Sequence, residues 1–281
     1  MRNATDSGPA AILDWPLADV ARITLACGAA LNTLTLELLA DFAAALQDAR
    51  RARARVAIVT GSGKAFCCGG HLTYFTDPAS PFFNAPLAIR DDYVRPIIET
   101  FRRLQDAPFP TIAAINGVAL GSGCELALAC DFRLMSEGAS IGLTEVRLGA
   151  VAGAGGVQLL SKIVGRAKAL ELALLGDRWS AAEARAAGLV VSTHAEDALD
   201  EAALALARRL LKCSPTAVAE TKRAIYRCET AGAREADEIG LDAITVAAGG
   251  PDWREGMTAC VERRSPSFAT GGASGDKAAT P

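Results

Sequence analysis

The stretch PTIAAINGVALGSGCELALACD, residues 110–131, decides the fold class because its character changes at a group of glycines. Its first half, residues 110–120, is apolar and rich in β-propensity, which predicts a buried strand. Its second half is rich in alanine and leucine, which favours an apolar helix. A strand followed by a glycine-rich turn and a helix is typical of α/β proteins.

One carboxylate, Glu125, lies in the middle of this apolar helix. If the helix is buried, an ionised Glu125 needs partners that hold it out of water. Ser122 stands three residues earlier, so one interpretation is a capping box in which Glu125 bonds the Ser122 amide. A second carboxylate, Glu145, also lies between apolar residues and before glycines, and two sequestered carboxylates indicate general acid and base chemistry.

The segments before this stretch alternate between strand and helix patterns. Residues 19–25 and 56–60 have the alternation of strands, and residues 35–51 and 90–105 have helical periodicity, the latter with Pro96 inside it. This alternation favours an α/β architecture.

The segments after Ala150 are nearly all helical. Helical patterns cover residues 155–165, 167–176 and 180–190, a short strand is predicted at 188–194, and three long helical patterns fill 196–264. We therefore predict an α/β core at 1–205, a helical C-terminal region at 206–268 and a disordered tail at 269–281.

Composition narrows the class of partner. The 281 residues include 29 basic and 32 acidic side chains, for a net charge of −3, and the basic residues are scattered, so we predict no nucleic-acid partner. We expect no membrane segment, no signal peptide in residues 1–15 and a cytoplasmic location. The eight cysteines lack paired CxxC spacing, and only two histidines are present, which leaves little material for a metal site.

Two strand-to-helix junctions are rich in small residues: TGSGKAFCCGGHL at 60–72 and NGVALGSGCEL at 116–126. They are either ordinary tight turns or places where free amides meet a ligand. Neither has the GxxxxGK[ST] pattern of a phosphate loop, and Leu120 breaks the GxSxG spacing of a serine nucleophile.

With these motifs in view, the sequence resembles the crotonase family, whose best-known member is enoyl-CoA hydratase. The matching motifs run in order over most of the chain: LNTL at 31–34, KAFCCGGHL at 64–72, the opening stretch, GLTEVRLGAVAGAGG at 142–156, GDRWSAAEARAAGLV at 176–190 and REGMTACVERRSPSF at 254–268. The resemblance implies an α/β spiral of repeated ββα units with a C-terminal helical trimerisation region. It also implies an acyl-CoA thioester substrate and a homotrimer or dimer of trimers.

The resemblance assigns roles to individual residues. Gly70 and Ser122 match the family's two amide donors of the oxyanion hole, a role that suits the charge developing on a thioester oxygen. Glu125 matches the carboxylate that activates water, and Glu145 matches the one that exchanges the α-proton. Because a capping box would occupy the Ser122 amide that the oxyanion hole needs, we expect the Glu125 side chain to turn away from its own helix start and face Glu145 across a water-sized gap. Gly153 matches a glycine whose amide helps to hold the water. No metal or redox cofactor is implied, because the coenzyme A is part of the substrate.

The resemblance implies six substrate contacts: Ala65, Cys68, His71, Leu72, Gly121 and Arg263. Some positions depart from the family's usual residues. His71 stands where the family most often has Asp, and it is either a substrate contact, an extra acid/base group or a loop residue bonded to backbone. We interpret Cys67 and Cys68 as small packing residues. Ala29 replaces a basic residue that often meets coenzyme A, so Arg263 or Arg264 is the candidate for that contact.

Both carboxylates are present, which favours hydration of an enoyl-CoA. Two alternatives stay open. The first is another reaction of the family, namely double-bond isomerisation, hydrolysis or decarboxylation, which His71 keeps in view. The second is a non-catalytic binding protein on the same fold.

Overall fold

The computed structural model describes residues 8–268. The strands in this part of the chain are β1 Ala11–Leu17, β2 Val20–Leu25, β3 Val56–Gly61, β4 Ala65–Cys67, β5 Thr111–Ile115, β6 Val118–Leu120, β7 Phe132–Ser136, β8 Ser140–Gly142, β9 Trp179–Ser180 and β10 Ser192–His194. The α-helices are α1 Leu36–Arg51, α2 Thr73–Thr76, α3 Pro86–Ala88, α4 Arg95–Gln105, α5 Ser122–Ala129, α6 Gly156–Leu175, α7 Ala181–Ala186, α8 Leu199–Leu211, α9 Pro215–Cys228, α10 Ala233–Gly249 and α11 Pro251–Val261. Single 3₁₀ turns occur at Gly28–Ala30, Glu145–Leu148 and Glu196–Ala198, and a π-helical turn occurs at Ile89–Val94.

The strands form two sheets, and each ββα repeat contributes one strand to each sheet. The first sheet has the order β1-β2-β3-β5-β7-β10, and the second has the order β4-β6-β8-β9. The pairs β3–β4, β5–β6 and β7–β8 each place their first strand in the first sheet and their second strand in the other, and helices follow each pair. Within each sheet the strands from successive repeats are parallel. The predicted α/β spiral of ββα units, with a helical region after it, is therefore confirmed.

The prediction of a single strand over residues 110–120 is wrong. The chain turns a corner between β5 and β6, which lie in different sheets. Asn116 fixes the corner, because its side chain accepts a hydrogen bond from the Gly61 amide at 3.0 Å and donates one to the Gly63 carbonyl at 3.0 Å. A Cβ on Gly117 would lie 2.2 Å from the Lys64 carbonyl oxygen, so a side chain at that position would collide with the neighbouring turn.

The predicted helices are present with three refinements, the first being that 196–264, where three long helices are predicted, contains four, α8 to α11. Residues 90–105 are helical, but Ile89–Val94 forms a π-helical turn before α4. Pro96 accounts for this turn, since its ring cannot donate a hydrogen bond and crowds the carbonyl four residues earlier. The helical patterns at 155–165 and 167–176 join as α6, which is interrupted at Gly165, where φ is +75°. The strand predicted at 188–194 is shorter, and only Ser192–His194 pairs, with β7.

The chain divides into two compact units, and the division falls after Arg208, inside α8. The first unit contains both sheets and the core built mainly from alanine, leucine, valine and isoleucine. The second unit contains α9, α10 and α11, and α10 contacts both of its neighbours. The domain limits 1–205 and 206–268 and the trimerisation role stay predictions, and the predicted tail at 269–281 lies outside the described residues. Within residues 8–268, every helix is too short or too polar to cross a bilayer.

Candidate active site

The two glycine-rich turns meet because glycines allow their backbones to touch. A Cβ on Gly123, in the first turn of α5, would lie 1.9 Å from the Cys67 carbonyl oxygen at the end of β4. A Cβ on Gly69 would lie 3.1 Å from the Ser122 amide nitrogen, and Gly69 has a φ of +83° that favours glycine. The structure therefore brings the turn after β4 against the start of α5.

This contact places Gly70 and Ser122 in one site. Ser122 is the first residue of α5, so its amide precedes the first acceptor within the helix. Gly70 forms an isolated parallel bridge with Leu34, and the Leu34 amide donates to the Gly69 carbonyl at 2.8 Å. The two residues that the sequence proposes as amide donors thus come from neighbouring turns.

Glu125 is held by the start of another helix. Its side chain is 1% exposed, and its Oε1 accepts a hydrogen bond from the Gly156 amide, the first residue of α6, at 2.8 Å. A carboxylate is stabilised there by unpaired amides and the helix dipole. Burial raises the pKa of Glu125, while the Gly156 amide, the Ser122 side chain and the Ala154 amide oppose this rise.

The capping box that Ser122 and Glu125 match locally is not formed, and the expected turn of Glu125 away from its own helix start is confirmed. The residue that precedes the first turn of α5 is Gly121, with φ +54° and ψ −125°, and Ser122 is already helical. The Glu125 carboxylate therefore turns toward α6 instead of capping its own helix.

Glu145 begins the 3₁₀ turn Glu145–Leu148 and faces the same region. Its Oε1 lies 3.0 Å from the point that a Cβ on Gly121 would occupy, so a glycine at 121 leaves room for the carboxylate. Its Oε2 is buried and has no hydrogen-bond partner among the described residues. Burial, and secondly the charge of Glu125, raises the pKa of Glu145 to about 7. Such a group exchanges protons readily near neutral pH.

His71 follows Gly70 and is half-buried. Its Nδ1 lies 3.1 Å from the Thr33 hydroxyl, and its ring meets Tyr74 edge-on at 5.0 Å between centroids. Burial lowers the pKa of His71. The ring is therefore anchored by a side chain rather than by backbone, and its role as a substrate contact stays a prediction.

The remaining predicted substrate contacts are spread along both units. Ala65 is buried in β4, Cys68 is half-buried beside it, and Leu72 is exposed at the start of α2. Burial raises the pKa of Cys67 to about 12 and also raises that of Cys68, so both thiols stay protonated, as packing residues would. Arg263 follows α11 in the second unit and is exposed. Its role and the roles of Ala65, Cys68 and Leu72 stay predictions.

Two observations bear on the other candidates. The Gly153 amide donates to the Val151 carbonyl at 2.8 Å, so the turn itself uses this amide, and its contact with a water stays a prediction. Arg264 pairs with Glu255 at 2.6 Å and with Glu262 at 2.7 Å, so its charge is already balanced within the second unit.

The sequence analysis did not identify three residues of the site, Ala154, Gly156 and Tyr93. Ala154 and Gly156 supply amides to Glu125, and the glycine-rich run that ends at Gly156 was a signal for a helix start with free amides. Tyr93 reaches the Gly70 turn from the π-helical segment, and nothing in its local sequence indicates this.

Comparison with known proteins agrees with this geometry. The family model described as enoyl-CoA hydratase/isomerase matches residues 17–271. The 2,3-dehydroadipyl-CoA hydratase of Escherichia coli is 34% identical over 245 residues, which cover 84% of this chain and 88% of the relative. The 1,2-epoxyphenylacetyl-CoA isomerase of the same organism is 33% identical over 240 residues, covering 85% and 90%.

A solved structure agrees as well. The enoyl-CoA hydratase of Bacillus anthracis superposes with a TM-score of 0.86 at 36% identity, over 92% of this chain and 98% of that chain. The chain therefore belongs to the enoyl-CoA hydratase/isomerase family, which is the crotonase family that its motifs predict.

Proposed function

We propose that the protein reversibly adds water across the α,β double bond of an acyl-CoA thioester, without a metal or redox cofactor. The observation that carries this proposal is the pair of buried carboxylates, Glu125 and Glu145, beside two amide-bearing turns. One carboxylate that has lost its proton and one that has kept it are what addition of water requires.

The proposed reaction divides the work between the two carboxylates. Glu125, whose amide and hydroxyl donors oppose the rise in pKa that burial causes, takes a proton from water as the water oxygen bonds to the β-carbon. Glu145, with a pKa of about 7, gives its proton to the α-carbon. The product carries a hydroxyl at the β-carbon and a hydrogen at the α-carbon, and exchange with solvent water restores both carboxylates.

The amides of Gly70 and Ser122 stabilise the charge that moves onto the thioester oxygen. As the water adds, the electron pair of the double bond shifts toward this oxygen, and two fixed donors in a dry site lower the barrier. Loss of one such donor typically costs about 3 kcal/mol in the barrier. Side-chain identity at 70 and 122 matters little for this role, since the backbone supplies the donors.

The test is hydration of crotonyl-CoA, or of a better enoyl-CoA from a panel of graded chain length. Glu125→Gln and Glu145→Gln should each lower kcat by at least about 100-fold, while CoA-ester binding persists by calorimetry. The exposed Glu137→Gln serves as the matched control and should keep full activity. Full activity in either active-site variant would refute the proposed roles.

Product analysis separates hydration from the other reactions. A relative named as an isomerase and one named as a hydratase are similarly distant from this chain, so the acyl product must be identified. A 3-hydroxyacyl-CoA supports hydration, and a shifted double bond supports isomerisation. Absence of stabilisation by every CoA ester in thermal unfolding would favour the non-catalytic alternative.

The proposal extends to assembly and location. We expect a homotrimer or a dimer of trimers, built through the helices of the second unit, in the cytoplasm. Light scattering on the purified protein measures the first point, and fractionation of cells that express the chain measures the second. A monomer at micromolar concentration would remove the trimerisation role from 206–268.

A further inference from the structure

The Tyr93 hydroxyl lies beside Gly70 and bonds the backbone of His71, the residue after Gly70, and of Leu34, which pairs with Gly70. Tyr93 is 3% exposed, its hydroxyl donates to the Leu34 carbonyl at 2.6 Å, and it accepts from the His71 amide at 3.2 Å. A phenolic hydroxyl has one hydrogen to donate and lone pairs to accept with, so both bonds form at once.

These bonds complete the attachment of the turn that carries Gly70. The Leu34 amide already holds the Gly69 carbonyl at 2.8 Å, on the side before Gly70. Through Tyr93, the Leu34 carbonyl is also joined to the His71 amide, on the side after it. The point that a Cβ on Gly70 would occupy is 3.4 Å from the Tyr93 hydroxyl, so the ring also limits movement of the turn.

Tyr93 is itself held firmly. It lies in the π-helical turn Ile89–Val94 that precedes Pro96, and such turns are frequent at functional sites. Its ring packs against Tyr74, Phe75 and Phe82 with centroid distances of 5.7, 5.4 and 5.6 Å. Edge-on and tilted packing of this kind fixes ring orientation.

We propose that Tyr93 is a positioning residue that fixes the Gly70 amide where the thioester oxygen gains negative charge. This inference rests on the proposed role of Gly70. Without the hydroxyl the turn stays folded, but its amide is free to move, and a displacement of about 1 Å can cost about 100-fold in rate. The loss should fall on kcat, because the amide matters most in the transition state.

The direct test is Tyr93→Phe, with Tyr74→Phe as the matched control. Both changes remove one hydroxyl from the same aromatic cluster, but the Tyr74 hydroxyl accepts from the Leu36 amide at the start of α1, at 3.3 Å. We expect Tyr93→Phe to lower kcat about 10- to 100-fold with KM changed less than about threefold. Tyr74→Phe should keep both within about twofold. A Tyr93→Phe enzyme with wild-type kcat, or with a raised KM alone, would overturn the inference.

A binding measurement separates this inference from the proposed function. A 3-oxoacyl-CoA can bind as its enolate, which carries negative charge on the thioester oxygen and absorbs in the near ultraviolet. Tyr93→Phe should weaken binding of the enolate at least about 10-fold and leave binding of the saturated acyl-CoA unchanged. Equal affinities for the enolate would sink the inference, whether or not the wild type hydrates any enoyl-CoA.

Hydrogen exchange on the wild-type protein covers the case in which Tyr93→Phe does not fold. The His71 amide, held by a buried hydroxyl, should be protected to a degree near that of the core strands. Exchange of this amide at the rate of an open loop would contradict the proposed attachment.

Discussion

Substitution of Gly123 by alanine tests how the fold builds the site. A Cβ at this position would lie 1.9 Å from the Cys67 carbonyl oxygen and 2.6 Å from its carbon. Both of these Cys67 atoms belong to the backbone and cannot rotate away, and ordinary contact begins at 3.4 Å, so α5 and β4 must separate by about 1.5 Å.

The magnitude follows from two opposing effects. Overpacking that forces backbone shifts costs about 1–3 kcal/mol, and alanine is favoured over glycine inside a helix by at most about 1 kcal/mol. We therefore expect Gly123→Ala to lower the free energy of unfolding by about 1–2 kcal/mol. Because Ser122 moves with α5, its amide should leave the position opposite Gly70, and kcat should fall about 100-fold.

Urea unfolding and crotonyl-CoA kinetics, at a temperature where the variant is folded, measure the two effects. Gly240→Ala is the matched control, since Gly240 lies inside α10 with open space around it. This substitution should stabilise the protein by about 0.5–1 kcal/mol without a change in kcat. If Gly123→Ala keeps wild-type stability and rate, the close contact does not hold the two turns together.

Further predictions concern titration and the thiols. If Glu145 donates as the proposed acid, the rate of hydration should fall as pH rises through about 7, and a pH profile of kcat measures this. Glu125→Gln should lower the pKa of Glu145 by removing a like charge, and a pH profile of proton exchange at the α-carbon measures that shift. Since the folded state binds the Glu145 proton more tightly than the unfolded state, Glu145 destabilises the fold increasingly from pH 4.5 to about 7 and fully above it, so Glu145→Gln should be more stable than the wild type by about 1–2 kcal/mol at pH 8, with the gain absent at pH 4. A thiol reagent at pH 8 should label the exposed Cys213 and Cys260 well before Cys67, whose pKa burial raises to about 12, and mass spectrometry of the native protein checks the order.

Local pattern predicted the elements but not the corner between the sheets. Residues 111–115 and 118–120 have the same apolar character, so periodicity joins them into one strand. The turn at Asn116 depends on the amide of Gly61 and the carbonyl of Gly63, which are more than fifty residues away. A side chain whose hydrogen bonds go to a distant part of the backbone produces no pattern in the sequence around it.

The aromatic cluster was hidden for the same reason. Tyr93 lies in a helix whose sequence predicts the helix but not the π-helical turn, although Pro96 is its cause. Its hydroxyl contacts Leu34 and His71 only because three segments lie together in the fold: the turn after β4, the end of the LNTL motif and this helix. Their proximity is a property of the tertiary structure and has no local sequence signal.

The two carboxylates show what local reasoning could and could not establish. Only the family resemblance distinguished Glu125 from Glu145 in the sequence, since by local pattern both sit among apolar residues and near glycines. The fold makes them different, because Glu125 receives the amides of Gly156 and Ala154, whereas the Oε2 of Glu145 is buried with no partner among the described residues. Burial raises the pKa of both carboxyls, but donors oppose the rise at Glu125, whereas the charge of Glu125 adds to the rise at Glu145. The difference in titration between the two glutamates therefore arises largely from the start of α6, 31 residues beyond Glu125, and not from either glutamate's own segment.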